Sequence, residues 1–232
     1  MQVEIWSDIV CPWCYIGKRR FEAALSRFSG RDRVEIIWRS FELDPSAPNQ
    51  TNEDMATRLS KKYRMSKDKA NETIANITNL AKAEGLEYHL DSAKQGNSFD
   101  AHRLLQLANI HGLGDAVKER LMRAYFTDSL EISNQDVLVE LGVQAGLDGT
   151  EIRGMYANDY MVSNVRSDEA LASKYGITGV PFFVFDSKYG VSGAQDSEVF
   201  LEVMNKVREE APSIKMIGDT DAAGCNEDSC AL

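Results

Sequence analysis

The sequence predicts an α/β fold in which a small sheet is interrupted, after its second strand, by a block of helices. Three observations carry this expectation. A β-rich run at residues 3–6 leads into Cys11-Pro12-Trp13-Cys14, which is followed by a helical pattern and a second β-rich run at 34–41. Residues 49–159 then show helical periodicity, with too few strand signals to extend a sheet. Strand character returns only at 182–185, directly behind Gly179-Val180-Pro181.

Each element has its local reason. The first run ends at Ser7-Asp8, and Asp8 is placed to cap the helix that follows. Phe21, Leu25 and Phe28 recur at helical spacing, Lys18, Arg19 and Arg20 take the wet side, and Gly30 provides a stop. Asp44-Pro45, Pro48 and Asn49 then read as a linker. Ala70, Ile74, Ile77 and Ala81 make one face of a helix that opens at Ser66 and stops at Gly85. Ser98 opens the next, with Ala101, Leu104, Leu105 and Ala108 inside, and further helices are expected over 115–126, 135–145, 151–156 and 162–175. Pro181 opens a strand, an unusual place for a residue that cannot donate to the ladder. Asp186-Ser187-Lys188 turns the chain into a partner strand at 189–192, and Phe200, Leu201, Met204 and Val207 mark the last helix. The expected division is a discontinuous α/β domain (1–48 and 160–212), an inserted helical domain (49–159) and a flexible acidic tail (213–232).

Composition narrows the function. A net charge of −10 argues against nucleic acid and against an anionic membrane surface as partners. No apolar run approaches the roughly 20 residues a membrane span needs. A basic segment with an apolar core is missing ahead of the first strand, which predicts a cytoplasmic chain. In such a reducing compartment, four cysteines are expected to be working thiols more than staples.

Cys11 and Cys14 carry the chemistry. A helix N-terminus presents unpaired N–H groups and the positive end of the dipole, so the first sulfur is expected to be a thiolate at lower pH than a free cysteine. Pro12 suits the first helical position, where its missing N–H costs nothing. On this reading Cys11 is an exposed nucleophile and Cys14, one turn in, the resolving thiol. Half of a zinc site uses the same spacing, with Cys225 and Cys230 as the other half of a zinc-binding redox-sensing module. A local structural disulfide is the third possibility.

The order strand–CxxC–helix–strand, inserted helices, then helix–strand–strand–helix resembles the thioredoxin superfamily, and the position of the insertion resembles its DsbA-like branch. Ser7-Asp8-Ile9-Val10-Cys11-Pro12-Trp13-Cys14-Tyr15-Ile16-Gly17 looks like the FrnE-type subgroup of that branch, as do Gly179-Val180-Pro181 and the late CxxxxC. The resemblance implies a thioredoxin fold with a helical domain inserted after the second strand. It implies a thiol–disulfide oxidoreductase in which Cys11 attacks, Cys14 resolves and Pro181 is a cis-proline facing them. Pro12, Trp13 and Val180 form the surroundings, and the Val180 backbone is expected to pair with an extended substrate. The implied partners are protein or peptide thiols and disulfides, with glutathione as a candidate small thiol; no cofactor or metal is implied.

Two departures set expectations for the potential. The strongly oxidising relatives carry histidine between the cysteines, whereas Trp13 is uncharged. The buried acid that many relatives place six residues before the first cysteine is Ile5. A potential between the strong oxidants and thioredoxin is expected. Glutathione-dependent relatives of the 2-hydroxychromene-2-carboxylate isomerase and kappa-class transferase type share a stretch similar to Asn97-Ser98-Phe99-Asp100-Ala101-His102-Arg103, but commonly carry serine at the position of Cys11 and lack the second cysteine. Isomerase or transferase activity is therefore the alternative. His102 and Arg103 are expected to be a cap and a surface salt bridge. Cys225 and Cys230 form a second candidate redox pair, one able to exchange electrons with Cys11 and Cys14.

Overall fold

The chain is described here by a computed structural model covering residues 1–51 and 53–210. Strand β1 (Gln2–Ser7) runs into helix α1 (Pro12–Arg27), and after a short 3-10 turn at Arg31–Arg33 the chain returns as β2 (Glu35–Ser40). Helices α2 (Met55–Tyr63), α3 (Lys67–Ala83), α4 (Phe99–Ile110), α5 (Gly114–Phe126), α6 (Gln135–Gln144), α7 (Gly149–Tyr156) and α8 (Val162–Lys174) follow. The sheet is completed by β3 (Phe182–Phe185) and β4 (Tyr189–Ser192), and α9 (Ser197–Glu210) packs beside α1. This is the thioredoxin-like fold with helices inserted after the second strand.

The strand order is β2-β1-β3-β4. β1 and β2 are parallel, with Ile5 opposite Trp38, as a strand–helix–strand crossover requires. β3 runs antiparallel to β1, with Trp6 opposite Phe182, and pairs antiparallel with β4. The β3–β4 turn passes through Asp186 and Ser187, both at positive φ, in the Asp-Ser-Lys segment that looked like a turn.

Both faces of this sheet carry core, Trp6 and Val184 meeting Ala172 and Ile177 on the smaller side, and a third cluster lies among the inserted helices. Val3 and Ile5 point to one face with Phe21, Trp38, Phe183, Phe185, Phe200 and Met204, burying α1 and α9 against the strands. A larger core is formed by α3 to α7, and it reaches the dithiol: Ile9, Cys11, Cys14, Tyr15 and Ile16 belong to it. The inserted helices are thus the packing partners of the N-terminal half of α1. Ser66 caps α3 through the Lys69 amide, and Gly85 follows with φ +75. Among the described residues no helix is long and apolar enough to cross a membrane.

Candidate active site

β1 delivers the chain to the dithiol at one end of the sheet. Cys11 is the N-cap of α1, in an extended conformation (φ −88, ψ 113), and Pro12 occupies the first helical turn. The Cys11 amide donates to the Asp8 carbonyl at 3.3 Å, and the Cys14 amide donates to the Cys11 carbonyl at 3.0 Å. No side chain caps the helix. Asp8 is not the expected cap. Its carboxylate is turned inward, where it accepts from the Leu43 amide at 2.8 Å and lies 3.3 Å from His102 Nε2.

The sheet register brings the second half of the site to the first. Trp6 pairs with Phe182, so the residues just before β3 meet the residues just after β1. The Val180–Pro181 peptide is cis. The Cys11 thiol donates to the Val180 carbonyl at 3.6 Å, and the Pro181 carbonyl accepts from the Gly193 amide at 2.8 Å. Helix α1 approaches this loop so closely that a Cβ on Gly17 would stand 3.0 Å from Pro181 Cγ and 3.4 Å from Ala194 Cβ. That approach explains the glycine in an otherwise well-formed helix.

Two expectations about Cys11 are overturned. The sulfur is not exposed: Cys11 is 3% accessible and Cys14 1%, and of the four motif residues Trp13 faces outward, at 39%. Cys11 is enclosed because the core formed by the inserted helices, with Val10 and Val180 packed against it, closes over it. Nor is its proton loosely held. Its hydrogen bond with the Cys14 thiol and its burial push the Cys11 thiol well above the ordinary cysteine value, with the nearby Asp8 carboxylate adding to the effect. Desolvation and a shared proton outweigh the helix end in this fully reduced pair, where both cysteines are free thiols.

The inserted segment supplies groups that the local motif does not announce. Tyr88 donates its hydroxyl to the Pro12 carbonyl at 2.7 Å and, with Tyr15 and Phe126, forms an aromatic stack against the start of α1. Burial, and then the Cys11 and Cys14 thiols, drive its phenol well above the usual range. Burial pushes the Asp8 carboxyl up, but His102, the Leu43 amide and Ser98 more than offset this and hold it below its ordinary value. Lys118 is fully buried and donates to the Ser7 carbonyl at 3.1 Å. Arg103 is a buried hub and not a surface salt bridge, since its guanidinium donates to the carbonyls of Met155, Asn158 and Tyr160 as well as to Asp100. His102, expected as a cap, is wholly buried.

Ile5 is buried at the position where relatives place an acid, and the acid falls one residue earlier. Glu4 accepts from the Arg39 guanidinium at 2.6 Å, and Arg39 in turn donates to Asp168 at 2.9 Å. Because successive strand residues face opposite sides, Glu4 lies across the sheet from Ile5. Among the described residues no group of three or more His, Cys, Asp or Glu is arranged to hold a metal ion. Cys225 and Cys230 lie outside the described residues.

A helix-terminal dithiol, a cis-proline ahead of β3 and the β2-β1-β3-β4 order define a thioredoxin-like protein. More narrowly, the chain belongs to the DSBA-like thioredoxin domain family, which matches residues 2–205. It is similar to a probable DsbA oxidoreductase from Streptomyces coelicolor, at 45% identity and a TM-score of 0.87, over 100% of this chain and 99% of that one. It is 27% identical over 202 residues to the uncharacterised protein YwbO of Bacillus subtilis, covering 86% of this chain and 94% of YwbO. The cytosolic disulfide reductase DsbM from Pseudomonas aeruginosa shares the fold, with a TM-score of 0.62 at 17% identity over 90% of this chain and 100% of DsbM.

Proposed function

We propose that the chain is a cytoplasmic thiol–disulfide oxidoreductase of the FrnE-type subgroup, acting on protein or peptide disulfides through Cys11 and Cys14. The observation that carries this reading is the Cys11 thiol, hydrogen-bonded to the Val180 carbonyl beside cis-Pro181, with Cys14 one turn behind it. In the reducing direction Cys11, once deprotonated, attacks one substrate sulfur, and the other leaves as a thiolate. Cys14 then displaces the bound half of the substrate and closes the Cys11–Cys14 disulfide. The oxidising direction is the reverse. The enclosure of Cys11 means that a substrate must lie along the Val180 backbone to reach it, which favours an extended peptide. DsbM has also been solved with glutathione, which makes that tripeptide a natural redox partner to assay.

The proposed division of labour follows the expected boundaries. Residues 1–48 and 160–212 carry the dithiol and cis-proline, residues 49–159 enclose it, and 213–232 hold Cys225 and Cys230 as a second redox pair. No metal, nucleotide or flavin takes part. The late CxxxxC and the 7–17 stretch support the FrnE-type assignment.

Paired substitutions test the reading. Cys11→Ser is expected to abolish reduction of a peptide disulfide, and Cys14→Ser to accumulate mixed disulfides that a reductant releases. Turnover surviving in Cys11→Ser would sink the assignment. For the tail, truncation after Pro212 and a Cys225→Ser, Cys230→Ser double variant are expected to slow turnover and to shift the Cys11–Cys14 midpoint against glutathione. If both keep wild-type values, the second pair has no part in the reaction.

A further inference from the structure

A wholly buried histidine faces the turn that delivers the dithiol. His102 stands near the start of α4, on the inserted helices, and its Nε2 lies 3.3 Å from Asp8 Oδ1, with both side chains closed to solvent. Among the described residues that is the one hydrogen bond its ring makes, and Nδ1 is buried without a partner. A buried polar nitrogen left unpaired costs about 1–3 kcal/mol, which an apolar side chain in the same place would avoid. Packing alone therefore does not account for His102, and its use lies in what it does to Asp8.

Asp8 organises the segment between β1 and the dithiol. Its backbone carbonyl accepts from the Cys11 amide at 3.3 Å, and its Oδ1 accepts from the Val10 amide at 3.4 Å, the longest of the set. Its Oδ2 accepts from the Leu43 amide at 2.8 Å, which ties the turn to the chain beyond β2. Asp8 thus bears on Val10 and Cys11 from within the turn, while His102 and Leu43 hold it from the other side.

We propose that Asp8 is a positioning residue for Cys11 and that His102, reaching it from the inserted helices, holds it in place, so that Cys11 Sγ is presented to Cys14. The step that needs this is resolution of the mixed disulfide. Cys14 gives up its proton to solvent and attacks Cys11 Sγ. The Cys11–Cys14 bond forms and the Cys11–substrate bond breaks. The electron pair of the broken bond leaves on the substrate sulfur, which takes a proton from solvent; the enzyme dithiol is oxidised by two electrons and the substrate disulfide reduced by two. The step asks for no proton from Asp8 or His102. Their contribution is the effective concentration of one thiol at the other, which a loosened turn would dilute. The Cys14 amide already donates to the Cys11 carbonyl at 3.0 Å, so the turn ahead of Cys11 is where slack would enter.

This inference rests on the proposed thiol–disulfide exchange but is tested apart from it. The full chain is equilibrated with reduced and oxidised glutathione, and the Cys11–Cys14 disulfide is quantified by alkylation and peptide mass spectrometry, which separates it from Cys225 and Cys230. His102→Leu fills the space but cannot donate to Asp8. It is expected to lower the oxidised-to-reduced ratio of the pair about tenfold and to leave Cys11 as a mixed disulfide with glutathione. His102→Gln places a donor near the same point and should restore most of the ratio. Arg103→Lys, on the next residue of α4, loses stability without touching Asp8 and should leave the ratio unchanged; were lost stability the cause, it would lower the ratio as well. A His102→Leu ratio equal to wild type overturns the proposal, as does a His102→Gln ratio as low as that of His102→Leu, or an equal fall in Arg103→Lys. Where His102→Leu fails to fold, amide hydrogen exchange of the wild-type protein decides instead: Val10 and Cys11 should exchange as slowly as their neighbours in α1, and exchange at the rate of an open loop overturns the role. The glutathione equilibrium needs no protein substrate, so a shifted ratio in a protein that reduces no peptide disulfide would refute the proposed function and leave the role of Asp8 and His102 standing.

Discussion

The hydroxyl of Tyr88 donates to the carbonyl of Pro12 at 2.7 Å, tying the segment beyond α3 to the first turn of the dithiol helix. The same ring stacks on Phe126 with centroids 4.6 Å apart, so the bond is held in place by packing on its other face. Tyr88→Phe keeps the stack and deletes one hydrogen bond. Equilibrium urea unfolding is expected to show a loss of about 1 kcal/mol with an unchanged slope. Iodoacetamide should also reach Cys11 faster, because the first turn is less firmly held. A midpoint and an alkylation rate both equal to wild type would show that the tie contributes nothing.

Gly17 gives a prediction whose usual sign is reversed. Glycine to alanine inside a helix ordinarily gains about 1 kcal/mol. Here the new methyl would meet the Pro181 ring at 3.0 Å and Ala194 Cβ at 3.4 Å, and a proline ring yields little. Overpacking of this kind costs about 1–3 kcal/mol, so Gly17→Ala is expected to be neutral to destabilising. It should also slow disulfide exchange, since it separates α1 from the cis-proline loop. Thermal unfolding and turnover check both, and a stabilised variant with full turnover would show slack between α1 and Pro181.

What the sequence made legible follows the range of each signal. The strands were readable because their reasons are local, with β-rich runs punctuated by Ser7-Asp8, Gly179-Val180-Pro181 and Asp186-Ser187-Lys188. The helix α3 showed itself through Ser66 and Gly85. α2 did not, since it is nine residues long, follows a linker-like stretch and buries only Ala56. At the site, Cys11, Cys14 and Pro181 declare themselves by short motifs. Lys118 belongs to no motif, and the carbonyl that it bonds is 111 residues away. Tyr88 and His102 meet their partners across 76 and 94 residues, distances at which periodicity is silent. The same long-range packing made the exposure of Cys11 the least readable feature: a helix N-terminus is open by itself, and only the inserted helices close it.

Arg103 is expected to be one of the most sensitive side chains outside the dithiol. Its guanidinium gathers the carbonyls of Met155, Asn158 and Tyr160, which join α7 to α8, and pairs with Asp100 at 2.9 Å. Lysine keeps the charge but cannot reproduce the fork, leaving buried carbonyls unpaired. Arg103→Lys should cost about 2–4 kcal/mol in urea unfolding, with the mid-pH alkylation of Cys11 in the folded protein little altered. A loss below that of an ordinary surface substitution would mean that water replaces the guanidinium.

The pH dependence of stability offers a check on the burial of Lys118. Burial depresses its pKa from 10.5 to about 8 in the folded chain. Below about pH 8 the lysine is protonated in both the folded and unfolded states, and the full penalty of burying the charge is present. Between about 8 and 10.5 the unfolded chain binds the proton that the folded chain has released. Stability must rise with pH over that window, because the unfolded state carries more protons. The rise attributable to this side chain is of order 3 kcal/mol, and above 10.5 the penalty is gone. Other groups, the buried tyrosines above all, titrate near the upper end, so the quantity to follow is the difference between wild type and Lys118→Met in reductant. That difference is expected to move in favour of wild type as pH climbs through the window. A difference that stays flat from pH 7 to pH 10.5 would mean that Lys118 reaches solvent in the folded state.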